Sequence, residues 1–103
     1  MTMNYTENFE GIKMAVQAVD IIISDDLQQC IRKMIVRLRR HFSELNWVDI
    51  YFRKNSSYSK DNRKVSVRLG IPGNDAVASD SGDNWMALLK KVEEKLRRQL
   101  QKR

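Results

Sequence analysis

Residues 24–42 read SDDLQQCIRKMIVRLRRHF, and this stretch decides the fold. The Ser24 hydroxyl can accept from an unpaired backbone N–H, and Asp25 and Asp26 complement the positive end of a helix dipole, so the stretch predicts a helix running to about Phe42. At about 100° per residue, Leu27, Cys30, Ile31, Met34, Ile35, Leu38 and Phe42 fall in one arc. Arg32, Lys33, Arg37, Arg39 and Arg40 occupy the rest, and only Val36 is out of place. Such a helix must bury one stripe and hold a cationic ridge in water.

Before it, Ile12, Met14, Val16 and Ala18 alternate with Lys13, Ala15 and Gln17, as in a strand buried on one face. After it, Val48, Ile50 and Phe52 alternate with Trp47, Asp49, Tyr51 and Arg53, and Val65, Val67, Leu69 and Ile71 alternate with Lys64, Ser66, Arg68 and Gly70. These two runs predict a hairpin whose polar connection, residues 55–62, forms a long mobile loop. Pro72, Gly73 and Asn74 supply turn chemistry, and residues 75–80 suit one short edge strand. From about Asp83 to Gln101 the helical period returns. Trp85, Leu88, Leu89, Val92, Leu96 and Leu100 share a face, and Lys90, Lys91, Lys95, Arg97, Arg98 and Lys102 take the other.

The order is β-α-β-β-β-α. A sheet with one apolar face needs cover, and two helices of about 27 Å can supply it from one side. The expected fold is an α+β two-layer sandwich: a four-stranded sheet with both helices packed on one face. The chain has 103 residues, 42% of them hydrophobic and 31% charged, enough for one small core. We read residues 12–103 as that domain and residues 1–11 as a flexible N-terminal extension.

Composition narrows the chemistry. A single cysteine, Cys30, precludes an internal disulfide and multi-thiolate zinc, and a single histidine, His41, leaves the usual triads without parts. Cys30 reads as a packed core thiol, and Asp25 and Asp26 are explained by their place in a first helical turn. The expectation is a binding protein and no enzyme, with no metal, no cofactor and no small-molecule substrate. No apolar run approaches the roughly 20 residues of a membrane span, and the N-terminus carries Glu7 and Glu10 with no basic segment, which implies a cytoplasmic protein.

The formal charge of +6 is unevenly spread. Residues 1–30 set Lys13 against Glu7, Glu10, Asp20, Asp25 and Asp26, for a net −4, whereas in residues 31–72 eleven basic residues oppose Glu44, Asp49 and Asp61, for a net +8. Two basic helix ridges side by side would attract a polyanion, and arginine forks suit phosphate. With little bulky apolar surface beside the ridges, nucleic acid fits better than lipid. No helix-turn-helix, zinc spacing or RNA-recognition strand motif is present, which favours reading of phosphate and shape. On the sheet's solvent face Trp47, Tyr51, Arg53 and Arg68 could stack bases, although such residues are more often ordinary cross-strand pairs.

Several segments carry a family resemblance. Residues 95–102, KLRRQLQK, are similar to a KLxRQLxK ending; Ser24 to Leu27 resembles a Thr-x-x-Leu helix start; Arg37 to Phe42 resembles a KLxxYF helix close. Pro72-Gly73, Ala78 and Asp83 to Ala87 sit where the same family has a Gly-Gly turn, an alanine and the start of its second helix. Over about Ile12 to Lys102 the chain resembles the ribosome hibernation promoting factors, also called ribosome-associated inhibitor A or sigma-54 modulation proteins. The resemblance implies a stress or stationary-phase factor that binds 16S rRNA of the small ribosomal subunit (30S), occludes the mRNA and tRNA channel, and inhibits translation on 70S and, in some members, 100S ribosomes. It implies RNA contacts at Arg37, Arg40, Lys95, Arg98 and Lys102. Arg32, Lys33, Arg39, Lys90, Lys91 and Arg97 join them on geometry. Gln28 and Met34 stand where the family usually carries basic residues. Ending at Arg103, the chain resembles the short form, monomeric off the ribosome. A basic protein-interaction module regulating transcription is the alternative, and comigration with ribosomal particles discriminates the two.

Overall fold

The computed structural model describes residues 2–54 and 62–102. In chain order the elements are β1 (Thr2–Phe9), β2 (Ile12–Val19), α1 (Asp25–His41), β3 (Trp47–Lys54), β4 (Arg63–Gly70), β5 (Ala76–Gly82) and α2 (Trp85–Gln101). Residues 55–61, most of the expected loop, lie outside the described residues.

The caps explain the helix limits. Ser24 Oγ accepts from the Leu27 N–H at 3.1 Å, and Asn84 Oδ1 accepts from the Ala87 N–H at 3.0 Å, so each helix starts one residue after its cap. Leu27, Ile31, Met34, Ile35 and Leu38 of α1 are buried, as are Leu88, Leu89, Val92, Leu96 and Leu100 of α2.

The expected sheet of four strands is corrected to five, in the order β1-β2-β3-β4-β5. The added strand comes from the segment read as an N-terminal extension. Met3, Tyr5 and Phe9 alternate with polar residues, and Glu10 (φ 50°) with Gly11 (φ 81°) makes a two-residue turn that returns the chain antiparallel along β2. Both turn residues lie in the left-handed region, which glycine adopts freely and which suits the twist of a tight hairpin. The element order is thus β-β-α-β-β-β-α. β2 and β3 are parallel, joined through α1, and all other neighbours are antiparallel.

Register sorts the two faces. Met14, Val48 and Leu69 lie side by side across three strands, as do Val16, Ile50 and Val67, then Ala18, Phe52 and Val65. All nine are buried and form one cluster with the apolar stripes of both helices. Phe52 meets the Trp85 indole edge to face at 5.6 Å, fixing the start of α2 over the sheet. On the opposite face, Trp47 lies across from Gly70, where a Cβ would overlap the indole. Among the described residues, no helix is long and apolar enough to cross a membrane.

Candidate nucleic-acid interface

Both helices cover the same side of the sheet, and their outward arcs carry all eleven cations singled out from the sequence. None is buried; Arg32 and Arg97 are partly covered and the others are exposed. The structure divides them into tethered and untethered groups.

Six are tethered. Arg32 Nε and Nη2 donate to the two Glu7 carboxylate oxygens of β1 at 2.7 and 2.6 Å, and Arg39 Nη1 donates to the Glu10 carbonyl at 2.9 Å. Arg37 Nε and Nη2 each reach Glu93 of α2 at 2.8 Å, tying the helices together. Lys95 Nζ donates to the Ser79 carbonyl at 2.9 Å and lies 3.4 Å from Asp80, while Arg97 and Arg98 share Glu94 at 3.4 and 3.5 Å. Beside Lys95, Gln99 Nε2 donates to the Val77 carbonyl at 2.8 Å, so two α2 side chains occupy carbonyls along the margin of β5. These six retain exposure, from 25% for the Arg32 side chain to 69% for Arg98, so they are oriented and still accessible.

Lys33, Arg40, Lys90, Lys91 and Lys102 make no ion pair or side-chain hydrogen bond among the described residues. Lys33 and Arg40 border a groove of about 370 Å³ between α1 and Phe9 of β1. Lys90 and Lys91 border another of about 370 Å³ beside Asp80 and Glu94. Where the helices meet, Arg37 and Glu93 neutralise each other.

The field of these cations registers on the acids. The Glu7 carboxyl is held below its ordinary value chiefly by the Arg32 hydrogen bonds. Asp80 is held low first by the Ser81 backbone N–H and then by Lys95. Burial, with Glu7 adding to it, pushes the Tyr5 phenol up, and its hydroxyl is buried with no hydrogen-bond partner among the described residues.

The departures from the family pattern have structural explanations. Met34 is 1% exposed, a core position that no cation could occupy cheaply, and Gln28 Nε2 donates to the Ile23 carbonyl at 3.4 Å. Cys30 is partly buried against the core. Among the described residues no group of three His, Cys, Asp or Glu is arranged to hold a metal ion.

Sequence reasoning missed a second cationic cluster. Arg53 faces Lys64 across the β3–β4 ladder, and Lys54 faces Arg63. Arg63 also lies over the Trp85 ring at 5.5 Å. Their pairing depends on a strand register that the length of the hairpin connection does not fix.

A small α+β module with a five-stranded sheet on one side and a cationic helix pair on the other is the class that this fold and surface define. The chain belongs to the family described as sigma 54 modulation protein / S30EA ribosomal protein, which its residues 14–103 match. Among solved structures it is similar to a ribosomal subunit interface protein from Coxiella burnetii, at 23% identity and a TM-score of 0.74, over 88% of this chain and 93% of that one. It is also similar to the N-terminal domain of Protein Y from Thermus thermophilus, at 15% identity and a TM-score of 0.72, over 93% of this chain and 98% of that one. No curated protein matches the sequence significantly. β1 precedes the matched residues.

Proposed function

We propose that the protein is a ribosome hibernation factor, which docks its helix face on 16S rRNA of the small subunit and blocks the mRNA and tRNA channel of 70S ribosomes in stressed or stationary cells. It acts in the cytoplasm by occupancy and carries out no catalysis. The observation that carries this reading is the untethered set Lys33, Arg40, Lys90, Lys91 and Lys102, displayed on one side of a chain of this family. Cations without internal partners keep their full attraction for phosphate, and their release of counterions drives binding. The tethered arginines add aimed guanidinium edges to the same face.

Sedimentation of purified ribosomes with the protein tests this. Comigration with 30S and 70S particles is expected, and its loss is expected when Lys90 and Lys91 are changed to Glu in a chain that still folds. Migration at the top of the gradient, with retention by an acidic protein, would favour the protein-interaction reading instead. Lys95 is a poor choice for reversal, because a glutamate there would face Asp80 and abandon the Ser79 carbonyl.

A further inference from the structure

The face of the sheet turned away from the helices is not covered by any described element. Across the five strands its residues align in rows: Thr6, Ala15, Asp49, Arg68 and Val77; then Asn4, Gln17, Tyr51, Ser66 and Ser79; then Val19, Arg53, Lys64 and Ser81. Apart from Ser79, the first two rows line a groove of about 620 Å³, larger than either groove on the helix face. Its lining combines short side chains, Ala15 and Ser66, with longer ones, Gln17, Tyr51 and Arg68. Asn4 and Thr6 of β1 extend one wall, and β1 lies before the residues that match the family.

Charge on this face is unspent. Asp49 and Arg68 are direct cross-strand neighbours, yet no ion pair joins them. Arg53 and Lys64 oppose each other cation to cation in the next row, an arrangement that costs stability when nothing relieves it. Neither has an acidic partner among the described residues. Among the described strand residues of this face, Lys13, Arg53, Lys64 and Arg68 stand against Asp49 alone.

We propose that this open face is a second nucleic-acid surface, which takes a short single-stranded segment of RNA with one base on Tyr51 and adjacent phosphates on Arg53, Lys64 and Arg68. An aromatic ring beside cations in a groove is the arrangement that accepts any base face and tracks a backbone. Gln17 and Asn4 offer amide donors and acceptors to a base edge, and Asp49 can accept from an exocyclic amine or a 2′-hydroxyl. An acidic peptide would use the cations and leave the ring and amides idle. The inference goes beyond the helix-face reading and does not depend on it, since the two surfaces are on opposite sides of the molecule.

The test is fluorescence anisotropy of a labelled eight-nucleotide single-stranded RNA with the full chain, alongside Tyr51→Ala, Arg53→Glu and a Lys90→Glu/Lys91→Glu double variant. Tyr51→Ala is expected to weaken binding about tenfold. Arg53→Glu should weaken it at least as much while melting no lower than wild type, because it replaces a like-charge pair by an opposite-charge one; Arg68→Gln substitutes if it does melt early. In the helix-face variant, which removes phosphate attraction on the other side, adding Tyr51→Ala should still weaken oligonucleotide binding about tenfold, and amide shifts on titration should map to β2, β3 and β4. Binding lost in the helix-face variant but unchanged in the Tyr51 and Arg53 variants overturns the proposal. So does an absence of measurable binding by wild type, or displacement of the RNA by polyglutamate with no effect of Tyr51→Ala. Ribosome comigration is scored separately, so either reading can fail without the other.

Discussion

Arg37 of α1 and Glu93 of α2 meet as a two-pronged pair, with both nitrogen–oxygen distances at 2.8 Å and the glutamate side chain only 14% exposed. The pair couples the helices that carry the proposed rRNA surface, and it places an acid in the middle of that surface.

Changing Glu93 to Gln should therefore move stability and binding in opposite directions. Loss of the pair costs about 1 kcal/mol, the upper end for a surface ion pair, since Arg37 is still half exposed and screened by solvent. Affinity for the small subunit should rise, because Arg37 is released toward phosphate. Urea denaturation and a binding titration on one preparation read both.

Salt should weaken ribosome binding steeply. If the five untethered cations each neutralise about one phosphate, the slope of log affinity against log salt lies near −4. A titration across salt concentrations measures it, and the Lys90→Glu/Lys91→Glu variant should flatten what remains.

The Glu7–Arg32 pair makes a pH prediction. Folding lowers the Glu7 carboxyl below its ordinary value of 4.5, so its stabilisation is fully present above that value and is lost as pH falls through the lowered folded one. Glu7→Gln should reduce stability at neutral pH and lessen its decline in acid, as followed by denaturant midpoints from pH 7 to pH 3. Asp80 shifts in the same direction and will contribute a parallel decline in both proteins.

Gly70 is fixed by its neighbour rather than by its backbone. Gly70→Ala should cost about 1–3 kcal/mol by overpacking against Trp47. In Trp47→Ala the same change should cost much less, and a double-mutant cycle on thermal unfolding would reveal the coupling.

The Tyr5 hydroxyl is buried with no hydrogen-bond partner among the described residues, so Tyr5→Phe should leave stability unchanged or raise it by up to about 1 kcal/mol. A lowered melting temperature would mean that the hydroxyl finds a partner in solution.

Most of the fold was legible because its strands and helices announce their periods. The run from Leu27 to Leu38 and that from Leu88 to Leu100 have one dry stripe each, and Ser24 and Asn84 punctuate them. β1 escaped because Glu7 sits in the middle of its inward face, breaking the apolar alternation of Tyr5 and Phe9; only the fold reveals that Arg32 receives it. For the same reason the cationic surface was legible as residues and not as a pattern. Helical periodicity places Arg37 and Lys95 on outward arcs, but partners such as Glu93 and the Ser79 carbonyl come from other elements. The like-charge rungs of β3 and β4 were hidden because register depends on a connection whose length alone does not fix it.

The Gln99 and Lys95 side chains bonded to the Val77 and Ser79 carbonyls also have a consequence for aggregation. An unguarded sheet border is a template on which a neighbouring molecule can lay its own backbone and begin an aggregate. By plugging that border with its last helix, the chain keeps its fifth strand from recruiting a stranger's.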